Sequence, residues 1–375
     1  MRPLRFPLAL SLAALLAACA GVDNSPQPTP LSDIAAKTTL RTAWKASFGP
    51  GQLYRFAPDI DGEAVYMASA SQGFAGFAKA DGRKLAEFRA ERPLAGGISA
   101  SRGTVVAGTL KGEVLAYEPS GRLKWRAQVS SEVVSPPVSA EGAVVVRSVD
   151  GRVWALELED GKVRWQFQRS QPALVLRNYA PVTIADGVVF VGMAGGKLAA
   201  VSLRDGRLLW ESVVAPPRGA TELERVTDIS SAPAVEGSEV CAVAFQGRVA
   251  CFNVSNGQQL WAREVSSYAG LAMDKKQVYV SDETGNVMAF ERSGGRTLWK
   301  QDKLYGRRLS APAVYQGLVA VGDFEGVVHL LDPADGSFRA RQTTDKSRIL
   351  VAPRLVDDKL LVQTEAGGLF AFVSP

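Results

Sequence analysis

Short apolar runs separated by tight turns recur along most of this chain. A glycine turn followed by a short apolar segment appears at Gly73, Gly112, Gly151, Gly196, Gly247, Gly285, Gly326 and Gly367. A β-rich run precedes each glycine, as in Val144-Val145-Val146, Val278-Tyr279-Val280 and Leu360-Leu361-Val362. Four residues after it stands an apolar position: Phe77, Ala116, Ala155, Ala200, Cys251, Ala289, Leu330 or Ala371. This rhythm predicts hairpins rather than helices. A second turn follows at Asp81-Gly82, Ser120-Gly121, Asp160-Gly161, Asp205-Gly206, Asn256-Gly257, Gly294-Gly295 and Asp335-Gly336, where glycine supplies the positive φ that tight hairpins need. Four residues beyond these glycines come Trp125, Trp165, Trp210, Trp261 and Trp299, with Ala86 and Ala340 in the two copies that lack the indole. A proline tends to open each copy (Pro58, Pro137, Pro181, Pro233, Pro312, Pro353), which suits an innermost strand with no further ladder partner.

Each unit is therefore about forty residues and four short strands, the size of a propeller blade. The expected fold is all-β: an eight-bladed β-propeller of four-stranded antiparallel blades over residues 39–375. The last copy stops at Phe372-Val373 without a fourth strand, and an orphan strand carrying Trp44 lies at Leu40 to Phe48. The N-terminal strand is thus expected to complete the eighth blade and close the ring. The tryptophans, Trp154 included, read as packing between or within blades.

The N-terminus reads as an address. Residues 1–18 combine Arg2 and Arg5 with an apolar stretch, Leu8 to Leu16, that is short for a transmembrane helix, as in a secretory signal. It ends in Leu16-Ala17-Ala18-Cys19, which resembles the bacterial lipobox and implies acylation of Cys19; the alternative is an ordinary signal with Cys19 a bystander. Ala20 is not the aspartate that resembles an inner-membrane retention signal, so the periplasmic face of the outer membrane is the expected location. Residues 19–38, with Pro26, Pro28 and Pro30 among polar residues, read as a lipidated start and flexible tether with a reach up to about 60 Å.

Composition narrows the chemistry. Among 375 residues there is one histidine, His329, and three cysteines, Cys19, Cys241 and Cys251, too few for a His/Cys metal site. The 43 basic and 38 acidic residues are scattered without runs, which argues against a nucleic-acid surface. No catalytic, cofactor-binding or metal-binding residue is expected. Cys241 and Cys251 flank the turn at Gln246-Gly247 symmetrically, so an antiparallel hairpin sets them opposite each other. An oxidising periplasm permits a disulfide there; two reduced core cysteines are the alternative.

The glycine spacing is 38 to 41 residues except after Gly151 and Gly196, where it stretches to 45 and 51. The extra residues fall after the tryptophan strands of consecutive blades, so two long connections are expected side by side on one face. One of them carries Leu174, Leu176 and Arg177, a suitable set for a partner-binding patch. The alternative is that the leucines extend a strand inward and that Arg177 pairs locally with Asp228.

The tryptophan-bearing repeats resemble the propellers of PQQ-dependent dehydrogenases. The lipobox, the mature length and two segments, Leu174-Val175-Leu176-Arg177-Asn178-Tyr179-Ala180-Pro181 and Thr221-Glu222-Leu223-Glu224-Arg225-Val226-Thr227-Asp228-Ile229-Ser230, resemble the BamB family of the outer-membrane β-barrel assembly machinery. That resemblance implies a non-enzymatic scaffold. It would dock on the POTRA domains of BamA through Leu174, Leu176, Arg177 and Asp228, and contact with nascent outer-membrane proteins stays open. The family's second acidic position is Ser230 here. The competing readings are a quinone-dependent enzyme and a periplasmic glycan binder. The first lacks an adjacent Cys-Cys pair and a calcium loop, and its acidic candidates sit mostly in Asp-Gly turns. The second would rest on Tyr179 and Tyr268.

Overall fold

The computed structural model describes residues 27–52, 54–177 and 179–374. The signal segment 1–18 and Cys19 lie outside the described residues. Thirty-two strands form eight four-stranded antiparallel sheets, and the described residues contain no α-helix. Blades one to seven are built from consecutive strands and begin at Asp59, Gly96, Val138, Thr183, Ala234, Gly270 and Ala313. Blade eight takes three strands from residues 354–373 and its outermost strand from Arg41–Ser47. There Trp44 pairs with Ala371 and Lys45 with Phe370, the ring closure that the incomplete last repeat implies. On the inner side, Arg354 of blade eight donates to the Pro58 carbonyl at 3.1 Å and to Asp59 Oδ1 at 2.6 Å in blade one, so the seam is tied twice.

The middle two strands of each blade are buried almost throughout, and alternate side chains pack against the preceding and following blades. The two repeat signals meet across these interfaces. Each of these five outer-strand indoles donates from Nε1 to a carbonyl beside the second turn of the next blade: Trp125 to Leu158, Trp165 to Leu203, Trp210 to Val254, Trp261 to Arg292 and Trp299 to Pro333, all between 2.6 and 2.9 Å. A Cβ at Gly161 would sit 2.5 Å from Trp125 Cε3, so that glycine provides both the turn's positive φ (73°) and the floor on which the indole lies. Where blade one lacks a tryptophan, Phe88 takes its place against Gly121.

Residues 27–38, read as part of the tether, run along blade seven. The Thr29 amide donates to Tyr305 O (2.9 Å) and the Lys37 amide to Arg339 O (2.9 Å), while Arg307 donates to Thr29 O (3.1 Å) and Arg341 to Ser32 O (2.7 Å). Leu31 packs on the apolar cluster of blades six and seven. Proline-rich composition marks a segment without periodicity, and here the backbone carbonyls of that segment meet arginines supplied by the ring. A reach counted over all eighteen residues from Ala20 to Lys37 is therefore too long.

Candidate functional site

The two long connections are residues 168–182, between blades three and four, and residues 214–233, between blades four and five. Both lead from an outer strand to the first, innermost strand of the next blade, so they cross the same face of the ring. In the second connection, Thr221 and Glu224 form a reciprocal cap. The Glu224 amide donates to Thr221 Oγ1 (3.3 Å), while the amides of Ala220 and Thr221 donate to Glu224 Oε2 (2.7 and 3.1 Å). This single stiff turn holds Leu223 out at 69% exposure, the highest of any large apolar side chain described. Leu223 was not among the candidate contacts. The Thr-x-x-Glu spacing around it is the signal that marks a fixed turn and makes an exposed leucine there informative.

In the first connection Leu174 is 42% exposed, Leu176 is partly buried, and Arg177 is exposed and, among the described residues, pairs only loosely, with Glu132 at 3.9 Å. Asp228 behaves differently. It is 2% exposed, and its carboxylate accepts from the Leu176 amide at 2.6 Å and from the Gly195 amide at 2.9 Å. Behind it lies the buried guanidinium of Arg147, which donates to Gly192 O. Burial pushes Arg147 down to about 10 against the opposing pull of Asp228. The charge of Asp228 is therefore spent inside the protein, where it joins the two connections to each other. Expected as a partner contact, Asp228 is in this structure a brace that positions Leu176 and its neighbours. Pairing of Arg177 with Asp228 is not what the structure shows either. Ser230 is also buried, 8% exposed, with no hydrogen-bond partner for its hydroxyl among the described residues.

Cys241 and Cys251 face each other across adjacent strands of blade five, with Cα atoms 4.1 Å apart, and are joined as a disulfide within the core. The acidic groups of the repeat turns are occupied locally: Asp81, Asp160 and Asp335 each accept the amide two residues on, at 2.8 to 3.1 Å. Among the described residues no group of three or more His, Cys, Asp or Glu side chains is placed to hold a metal ion.

A sequence-family profile described as "Outer membrane protein assembly factor BamB" matches residues 70–301 and 294–374. A curated protein of that name from Bordetella pertussis is 41% identical over 92% of this chain and 90% of its own length. It is named as an assembly factor, not as an enzyme. The crystal structure of BamB from Moraxella catarrhalis superposes with a TM-score of 0.81 at 23% identity, covering 89% of this chain and 99% of that one. The quinohemoprotein alcohol dehydrogenase of Comamonas testosteroni shares the fold, with a TM-score of 0.70 at 12% identity over 89% of this chain and 76% of the enzyme.

Proposed function

We propose that this chain, which belongs to the BamB family of outer membrane protein assembly factors, acts as a non-enzymatic scaffold whose two long connections dock on the POTRA domains of BamA. In this role it assists the folding and insertion of outer-membrane proteins. Acylation of Cys19 would hold it at the periplasmic face of the outer membrane, since two or more acyl chains anchor far more firmly than one.

The observation that carries the docking reading is the pair of hydrogen bonds at Asp228. The bond from the Leu176 amide fastens connection 168–182 to connection 214–233, and the bond from Gly195 fixes Asp228 to a turn within blade four, so that Leu174, Arg177 and Leu223 stand on braced rather than free loops. Preorganised loops lose less conformational entropy on binding, and leucine and arginine side chains on them supply apolar area and a bidentate donor. The test is co-purification of the full lipoprotein from detergent-solubilised outer membrane. BamA recovered in stoichiometric amount supports the reading. Recovery of the lipoprotein without BamA overturns it.

A further inference from the structure

Segments that lead into seven of the eight blades line a cavity of about 220 Å³ at the mouth of the central channel, where the two long connections end in Tyr179-Ala180-Pro181 and Ser230-Ser231-Ala232. Its polar side chains are Arg55, Tyr179, Ser230 and Ser231, no carboxylate lines it, and the remaining wall is small and apolar, including Ala57, Leu271 and Val351. The Arg55 guanidinium lies over the Tyr179 ring, 5.7 Å from its centroid, and has no hydrogen-bond acceptor among the described residues. The principal charge acting on it is the like charge of Arg348, whose own Nε is shut away from solvent without an acceptor; burial and this repulsion both push Arg55 down. Other shielded arginines of the ring are matched: Arg147 to Gly192 O, Arg292 to Glu239, and Arg307 to Asp323 and Glu325. The hydroxyls of Ser230 and Ser231 are buried and, among the described residues, unpartnered as well. A shielded guanidinium without an acceptor, set against a mostly apolar wall and repelled by a second arginine, costs free energy that an anion would recover.

We propose that this cavity binds a short-chain carboxylate, with the carboxylate on the Arg55 guanidinium beside Ser230 and Ser231, and the hydrocarbon body on the apolar wall. A planar guanidinium matches a carboxylate in a two-bond fork. An anion that is polar all round, such as phosphate, would strip water from its oxygens against alanine, leucine and valine. The volume lies below the ~300 Å³ at which drug-sized sites begin, which limits the ligand to a few heavy atoms.

Calorimetric titration of butyrate into the purified full chain, with chloride holding ionic strength constant, tests the site. Saturable binding of one butyrate per chain is expected. Arg55→Gln should weaken it at least tenfold, and so should Ser230→Asp, which places a carboxylate of the chain's own in the cavity. Ser230→Asp decides the matter alone if Arg55→Gln does not fold. Butyrate binding that both variants leave unchanged, or no saturable binding at all, overturns the site. Phosphate binding as tight as butyrate overturns the ligand class.

Discussion

Trp44 Nε1 donates to the carbonyl of Lys79 at 3.1 Å, so the first strand of the chain grips blade one as each later tryptophan strand grips the blade after it. A Cβ at Gly82 would lie 2.5 Å from the same indole, the spacing seen at Gly161 against Trp125. The N-terminal strand thus supplies blade eight with both a backbone edge and the side chain that its own repeat lacks.

Removing the chain through Phe48 should therefore do more than trim an end. It unpairs the last strand of blade eight and exposes the apolar surface of blade one beneath Trp44. A lowered melting temperature and a broadened transition are expected in calorimetry. Trp44→Ala alone, by removing a large indole that is 7% exposed, should cost about 3–5 kcal/mol. A truncated chain that melts like the intact one would refute closure by this strand.

The Cys241–Cys251 bond closes a short hairpin loop, for which loop entropy suggests a contribution of about 2–3 kcal/mol. Intact-mass measurement without reductant should find these two thiols oxidised, and the double change to Ala should lower the melting temperature without altering the far-ultraviolet spectrum. Two free thiols in protein taken from the periplasm would end the assignment.

The blades were legible because turn chemistry and packing repeat in register. The glycine of each Asp-Gly turn and the tryptophan four residues later recur in the same blade, although the contact each makes is with a neighbouring blade. What the pattern does not carry is contact between non-equivalent places. Asp228 accepts amides 52 and 33 residues away, and nothing local separates a carboxylate that braces loops from one that meets a partner. The same holds for Arg307 and Arg341, whose acceptors at Thr29 and Ser32 lie about 300 residues earlier. By contrast, the cysteine pairing was readable, since a hairpin fixes its own register.

The stability of blade seven should depend on pH through His329. The ring is fully buried; its Nδ1 accepts from Arg341 Nε at 3.2 Å, which leaves Nε2 to donate to Asp323 at 3.1 Å. Burial pushes the imidazole below its usual range, ahead of the opposing pull of Asp323. The unfolded chain therefore binds the proton more readily than the folded one. This contribution is complete above about pH 6.5 and is lost as pH falls below it, at up to ~1.4 kcal/mol per pH unit. Asp323, held low despite its burial by His329, the Val327 amide and Arg307, adds loss in the same direction only at stronger acidity. A protonated ring cannot accept from Arg341, which also holds Ser32 O, so the protection of the Thr29 amide against hydrogen exchange, corrected for the intrinsic rate, should fall once pH drops into the lowered range of this imidazole. His329→Gln, which keeps a donor and an acceptor without titrating, should flatten both dependences. Slopes that survive the substitution would assign them to other groups.

The docking face can be separated into contact and support. Arg177 is exposed and, among the described residues, held only by Glu132 at 3.9 Å, so Arg177→Glu should leave the melting temperature within about a degree of wild type while removing BamA from the co-purified material. Leu174→Ala and Leu223→Ala should each weaken binding by ~1–2 kcal/mol if they reach the partner, again without loss of stability. Asp228→Ala is expected to fail on both counts. It orphans the amides of Leu176 and Gly195 and leaves Arg147 buried without its counter-charge, a loss of about 3 kcal/mol in folding, and it frees the first connection from the second. Charge reversals at Arg83 and Lys162, in exposed turns of blades one and three, serve as controls and should change neither quantity. Normal BamA recovery with Arg177→Glu, or equal loss with the control reversals, would move the partner's binding site away from these two connections. Unchanged melting of Asp228→Ala would mean instead that the connections do not need the brace.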